Sequence, residues 1–366
     1  MKKIDWYILK KFILTFFFAI FLFTVIAIVV DISEKADDFV KSHLGVKNII
    51  LQYYIAFVPY MAALLFPLFV FIAVIFFTSK MAVRSEIIAI LASGASFNRW
   101  LRPYLIGGVF LAGLLWYANH YLVPRSNQVR GAFETKYFDP NSSYEAINRM
   151  NGGSNNIYLK VDSFSYASLG NYDTASKRGQ PFFMYRIKNN VVVENLRASD
   201  IFWDTATKKW RMNYVVKHDF NGMHEKVVFY QSQNTDFNFR PSDLKTDKYT
   251  KDKLESPDLR RQINLEEMRG SEGLNELKVE MGRRDATPVT VILLTLIGAI
   301  VAGRKVRGGS GLHLAMGLII AALFILADKF STVFSTKGNF PPILAAWTPN
   351  IIFVFVVIAL YRRAPK

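Results

Sequence analysis

The sequence predicts a membrane α-helical protein of six transmembrane helices, grouped three and three, with an extracytoplasmic all-β, jelly-roll-like domain inserted between the groups. Three observations predict it. A polar stretch from about Pro124 to about Thr287 separates two sets of three apolar runs, and about 20 apolar residues at 1.5 Å each cross about 30 Å of hydrocarbon. The hydrophobic share of 51%, the 31 Phe and the positive mean hydropathy are high for a soluble enzyme, whereas 20% charged residues is too many for a chain lying wholly in lipid. Inside the polar stretch the pattern changes to short runs rich in Val, Ile, Phe, Tyr and Trp with partial alternation. The expected domains are 1–124 for the first three membrane helices with a short cytosolic helix at 85–96, 125–245 for the β domain, 246–286 for a linker and an amphipathic elbow helix, and 287–366 for the last three helices. Cysteine is absent, which excludes disulfides, thiol nucleophiles and cysteine-ligated metals.

The six spans read as Phe12–Val30, Ile55–Phe77, Leu101–Val123, Pro288–Ala302, Leu312–Ala327 and Ile343–Tyr361. No small-residue cleavage pattern follows Val30 and the first run exceeds a signal-peptide core, so it is expected to stay as an anchor. Trp6 and Tyr7 beside Lys10 and Lys11 form an aromatic and basic collar at its entry. With both termini cytosolic, the inner pieces hold Lys2, Lys3, Lys10, Lys11, Lys80, Arg84, Arg99, Arg102, Arg304, Lys305, Arg307, Arg362, Arg363 and Lys366, against Asp5 and Glu86. Fourteen bases less two acids leave +12 of the total +16. The positive-inside rule thus accounts for most of the basic excess without nucleic acid and sets the polar block outside. The outer loop Asp31–Asn48 is short and mixed in charge. Pro59 and Pro67 interrupt the second span, as in a bent helix that either faces a protein-lined cavity or simply packs.

Between spans two and three, Ser85–Ser96 reads as a short amphipathic helix. Ser85 can cap it, Glu86 suits its positive end, Ile87, Ile88 and Leu91 make an apolar stripe, and Gly94 stops it. A membrane-surface turn would also fit, yet an acid at an interface otherwise dominated by bases is better explained by docking of a cytosolic partner. Ser85, Glu86, Ile87 and Leu91 are the expected contacts.

In the polar block, strands are expected at Asn156–Ala167, Phe182–Lys188, Val191–Leu196, Ser199–Trp203, Trp210–His218 and Lys226–Tyr230. Turns are expected at Asn189-Asn190, Asp204–Lys208 and Asn221-Gly222, the last as a type I′ hairpin. Six or more strands in about a hundred residues suggest a sandwich or jelly roll. Lys245–Asp258 is a charged linker, and Leu259–Asp285 is an amphipathic elbow broken near Gly270–Gly273. Arg283 and Arg284 then fall on the outer side, touching either headgroups or the phosphates of an anionic lipid substrate. In span five Asp328 and Lys329 lie about 24 Å above Leu312 and would snorkel to the outer interface. Asn350, beside Pro349 in span six, is expected to face other protein.

Catalytic signatures are missing. Gly303–Gly311 (GRKVRGGSG) has no lysine after Gly308 and follows a membrane helix, so it is a basic loop and not a phosphate cradle. His43, His120, His218, His224 and His313 show no metal-ligand spacing, and His218 and His224 could face each other across the last hairpin as a surface pair. No G-x-S-x-G elbow appears. A transporter subunit, a membrane-anchored envelope enzyme and a scaffold or mechanical transmitter that carries no lipid are the readings left, with the enzyme disfavoured.

Arg84-Ser85-Glu86 with Ala92-Ser93-Gly94, preceded by Met61-Ala62-Ala63-Leu64-Leu65 and followed by Val123-Pro124, resembles the lipopolysaccharide-export permease family, LptF/LptG (YjgP/YjgQ). In the last third, Arg284 before Pro288, Gly298, Gly303, Pro341-Pro342, Ala346-Trp347 and Pro349-Asn350 agree in order and spacing. The RSE and ASG runs lean toward the LptG side. The resemblance implies a permease subunit of an ABC transporter that extracts lipopolysaccharide from the bacterial inner membrane and passes it to a periplasmic bridge. It implies a second homologous permease, a cytosolic LptB-like ATPase dimer that carries ATP and Mg so that this chain holds no cofactor, and LptC/LptA-like bridge proteins. It implies that the insert is a periplasmic jelly roll that passes lipid on, that spans one and five line a shared cavity, and that Glu86 is the coupling-helix acid. Arg125, Arg130, Arg283, Arg284 and Lys329 are candidates for substrate phosphates, although Arg125 and Arg130 do not match the family's spacing residue for residue.

Overall fold

Apolar runs of this length can satisfy their backbone only internally, and each becomes a long helix. The computed structural model describes residues 3–138, 157–162, 164–173, 176–222, 224–244, 250–269, 273–304 and 309–364. Asn156, residues 245–249, Gly270, Lys2, Lys305, Arg307 and Lys366, all used in the expectations above, lie outside them. The chain forms two units: a helical one from Met1–Phe138, Lys251–Leu259 and Asn275–Lys366, and a second from Asp139–Thr250 and Arg260–Leu274.

The helical unit contains α1 (Lys3–Glu34), α2 (Ala36–Lys41), α3 (Val46–Ile49), α4 (Ile55–Val83), α5 (Glu86–Ala92), α6 (Phe97–Tyr117) and α7 (Val123–Tyr137). After the insert come α8 (Thr250–Lys253), α9 (Ser256–Arg269), which from Arg260 on belongs to the second unit, α10 (Leu274–Ala302), α11 (Gly309–Thr336) and α12 (Pro342–Arg362). Among the described residues six helical stretches are long and apolar enough to cross a membrane. They outrun the apolar runs seen in sequence. The break expected near Gly270–Gly273 falls between α9, which ends at Arg269, and α10, which starts at Leu274 and runs unbroken into span four. Span three likewise does not close at Val123-Pro124, because a π turn (Ala118–Leu122) leads straight into α7. Its wider bonding pattern sits just ahead of Pro124, which has no N–H to give.

Aromatic and small residues set the helix packing. Phe12 and Phe16 of α1 are buried against Tyr104 of α6 and Phe66 of α4, with ring centroids 6.2 and 4.7 Å apart. Gly108 lets α6 approach α10 until a Cβ there would lie 3.3 Å from Thr295. Small residues bring backbones together in this way where lipid offers no hydrophobic drive between helices. Asn350 meets the expectation that it faces protein: it accepts from Thr290 Oγ1 at 2.8 Å and donates to the Ala286 carbonyl at 2.7 Å.

The second unit carries one antiparallel sheet, β1 (Ile157–Lys160), β2 (Ser165–Leu169), β3 (Arg178–Gly179), β4 (Phe182–Lys188), β5 (Val191–Ala198), β6 (Asp200–Asp204), β7 (Lys209–Asn221) and β8 (His224–Thr235), in the order β1-β2-β4-β5-β7-β6-β3 with β8 on β7. Both β5 and β6 pair with one side of β7, through Arg197↔Val216 and Asp200↔Asn213, with only Ser199 between them. The opposing Tyr214 takes φ +50°. The core of the unit includes Leu169, Phe182, Ile201 and Trp210, whose indole donates to the Phe239 carbonyl at 2.7 Å.

Three strand expectations shift. The run 156–167 is two strands, because the Asp162 carboxylate accepts from the backbone N–H of Phe164 and Ser165 and turns the chain. Asn221 pairs with His224, so the hairpin loop starts one residue later than Asn221-Gly222. His218 consequently lies opposite Val227 and bonds Glu225, not His224. Asn189 and Asn190 hold the expected two-residue turn with φ of +50° and +61°.

Candidate functional site

At the end of the helical unit that carries the termini, α4 stops at Val83. Ser85 adopts φ +60° and starts α5 without a side-chain cap bond. Side-chain capping belongs to an extended residue, and the left-handed Ser85 instead turns the chain. Ile87 is 2% exposed and packs into the cluster formed by α1, α4, α6 and α10, with Ile90 and Leu91 against it. Ile88 is 52% exposed. The buried seam is therefore Ile87, Ile90 and Leu91, not the expected Ile87, Ile88 and Leu91, as i, i+3, i+4 spacing requires. Glu86 stays partly open, its Oε1 3.9 Å from Arg84 Nη1. Of the four expected contacts, Ile87 and Leu91 anchor the helix, Glu86 sits on its open side with the exposed Ile88, and Ser85 lies at the joint. Gly94, at φ +85°, ends the segment as expected.

At the opposite end, the five basic candidates do not converge. Arg284 is 3% exposed, and its guanidinium donates to the carbonyls of Lys251 (2.9 Å) and Leu254 (2.8 Å), to Ser256 Oγ (3.1 Å) and to Glu280 (3.4 Å). Four of its five N–H groups are used in clamping the chain that enters α9. Arg283 donates to Asp328 (2.9 Å) and Thr332 (2.8 Å), joining α10 to α11. Asp328 is partly buried in this pair, and Lys329 beside it is exposed. Arg130 lies 4.0 Å over the Tyr60 ring and 3.8 Å from Glu134. Arg125 donates to Glu255 at 2.7 Å with most of its side chain open. Lys329 has no ion-pair partner among the described residues.

The segment held by Arg284 is tied from the other side by α7. Asn127 donates to the Asp252 carbonyl at 3.0 Å and Gln128 to that of Lys253 at 2.6 Å. Burial pushes the Asp252 carboxyl above its usual range, against the opposing pull of Lys251, Arg284 and Arg130. Residues 251–256 thus strap α7 to α10.

A third cluster escaped sequence reasoning. Asp31 accepts from Tyr53 (3.2 Å) and Tyr54 (3.1 Å), and Lys35 pairs with Asp31 (3.1 Å) and Glu134 (3.2 Å). It ties α1, α7 and the π turn Ile50–Tyr54 within the loop region that looked uninformative. The i, i+4 spacing of Asp31 and Lys35 was the available signal. At the same end the Trp116 indole donates to Asp285 (3.2 Å), which also faces His120 Nε2 at 3.4 Å. No cluster of three metal-ligating side chains forms among the described residues.

The family described as lipopolysaccharide export system permease LptF/LptG has a sequence model that matches residues 6–363. No curated protein matches the chain.

Proposed function

The chain belongs to the LptF/LptG family of lipopolysaccharide export permeases, and from that premise we propose that it is one of two related permeases of an ABC transporter that lifts lipopolysaccharide out of the inner membrane. It is a multi-pass inner-membrane protein of six apolar helices with an inserted β domain. The observation that carries the reading is a family match spanning both helix triplets and the insert.

The rest of the proposal is mechanical. Each methylene withdrawn from a bilayer costs about 0.8 kcal/mol, so lifting a lipid of several acyl chains needs an external motor and a sheltered apolar route. A separate ATPase dimer supplies the motor, holding ATP and Mg, and grips the open side of α5 around Glu86 and Ile88. The second permease covers spans one and five. In its most apolar stretch span one buries 11% of its residues and span five 17%, against 67% for span four. The basic ends of the helices face the cytosol and the β domain faces the periplasm, where bridge proteins receive the lipid. Arg125 and Lys329, the two candidates with exposed side chains, take substrate phosphates. A scaffold that transmits motion without carrying lipid is the competing reading.

Purification at native expression followed by photocrosslinking of lipopolysaccharide separates the two. An ATP-hydrolysing chain and a second permease should copurify, and lipid should crosslink to this chain. The double variant Arg125→Ala/Lys329→Ala should lower the crosslink yield. Copurification without any crosslink supports the scaffold, and an unchanged yield in the double variant returns both residues to headgroup contact.

A further inference from the structure

Near their basic ends, α6, α10 and α12 leave a crevice of about 230 Å³. Leu101 and Leu105 of α6, Leu296 and Ile300 of α10 and Val357 of α12 form its walls. Its polar mouth is Asn98, Arg102 and Tyr361, and the Tyr361 hydroxyl donates to Asn98 Oδ1, tying α12 to α6 across the rim. Arg102 sits five residues into α6, about 7.5 Å along its axis. It is exposed, and no carboxylate lies within ion-pair range of it among the described residues.

We propose that this crevice is a binding site for one anionic phospholipid of the leaflet at the basic end of the helices, with an acyl chain between the three helices and the phosphate on Arg102. The walls offer a lipid tail nothing but hydrocarbon, so a chain passes there from the bilayer without hydrophobic cost and the headgroup decides which lipid is held. The volume is below the roughly 300–1,000 Å³ of pockets that enclose drug-sized ligands, which suits a stretch of one chain. The charge at the mouth selects the headgroup: a guanidinium with a free fork presents bidentate geometry to a phosphate. A zwitterionic lipid would bring its own cation toward the same arginine. The proposal stands on the helical unit alone and does not require the transport reading.

The test is native mass spectrometry of the purified full-length chain in detergent, titrated with phosphatidylglycerol or phosphatidylcholine of the same acyl chains. The wild type should retain one phosphatidylglycerol in preference, by about fivefold, the factor one basic side chain contributes toward an anionic surface. Arg102→Ala should erase that preference while a chain is still held, and Arg102→Lys should restore part of it. Val357→Trp, which fills the crevice, should release the retained lipid of either headgroup. Leu105→Trp, at a more exposed wall position, serves the same end if the first filling variant does not fold. Wild-type stoichiometry and preference in both Arg102→Ala and a folded filling variant would mean ordinary boundary lipid and would overturn the site.

Discussion

Arg284 shows what a charged residue in a permease does when its surroundings are known. In sequence it is one of two adjacent guanidiniums on the wrong side for the positive-inside trend. In the structure it is a buried clamp on residues 251–256. Removing one partner of a buried charged set costs about 3–5 kcal/mol. Arg284→Gln is therefore expected to lower the melting temperature in detergent and to speed proteolysis within 251–256, while the exposed Lys329→Gln changes neither. Equal behaviour of the two variants would sink the clamp. Charge and position along the chain were legible for all five basic candidates. Their partners were not, because Asp328, Glu255, Tyr60 and the Leu254 carbonyl come from distant segments that only packing brings near.

Elements were more legible than residues where their signal is local. The short helix after span two was readable from its cap, acid and glycine, and the Asn189-Asn190 turn from its two asparagines. Which face of α5 is buried depends on α1, α6 and α10, so Ile90 and not Ile88 joins Ile87 in the seam. The pair gives a direct test of docking against packing. Ile87→Ala, a core truncation, should cost about 2–5 kcal/mol of stability. Glu86→Lys and Ile88→Asp should leave melting and membrane insertion unchanged and weaken association with the ATPase by about tenfold or more, about 1.4 kcal/mol. Full association in both surface variants would refute the docking face. The break between α9 and α10 was readable from the glycines near 270–273. Helical spacing through Leu274, Leu277 and Met281 says that a helix exists, but not that it continues into the next span.

At the scale of the whole molecule, the proposed orientation rests on charge. A reporter active only outside the cytosol, inserted at Gly222, should be active, and the same reporter at either terminus should be silent. The reverse pattern would remove the route from α5 to the β domain. By itself the sequence determined that six helices flank one β insert, since run length and alternation are properties of the chain. It also carried enough ordered motif to mark the family. Tertiary structure alone decided that Arg284 and Arg283 hold helices together, that Asp31, Tyr53 and Glu134 meet, that β5 and β6 share one side of β7, and that a crevice opens beside Arg102. Most of these are contacts between segments far apart in sequence, where periodicity says which residues share a face and nothing about what that face will meet.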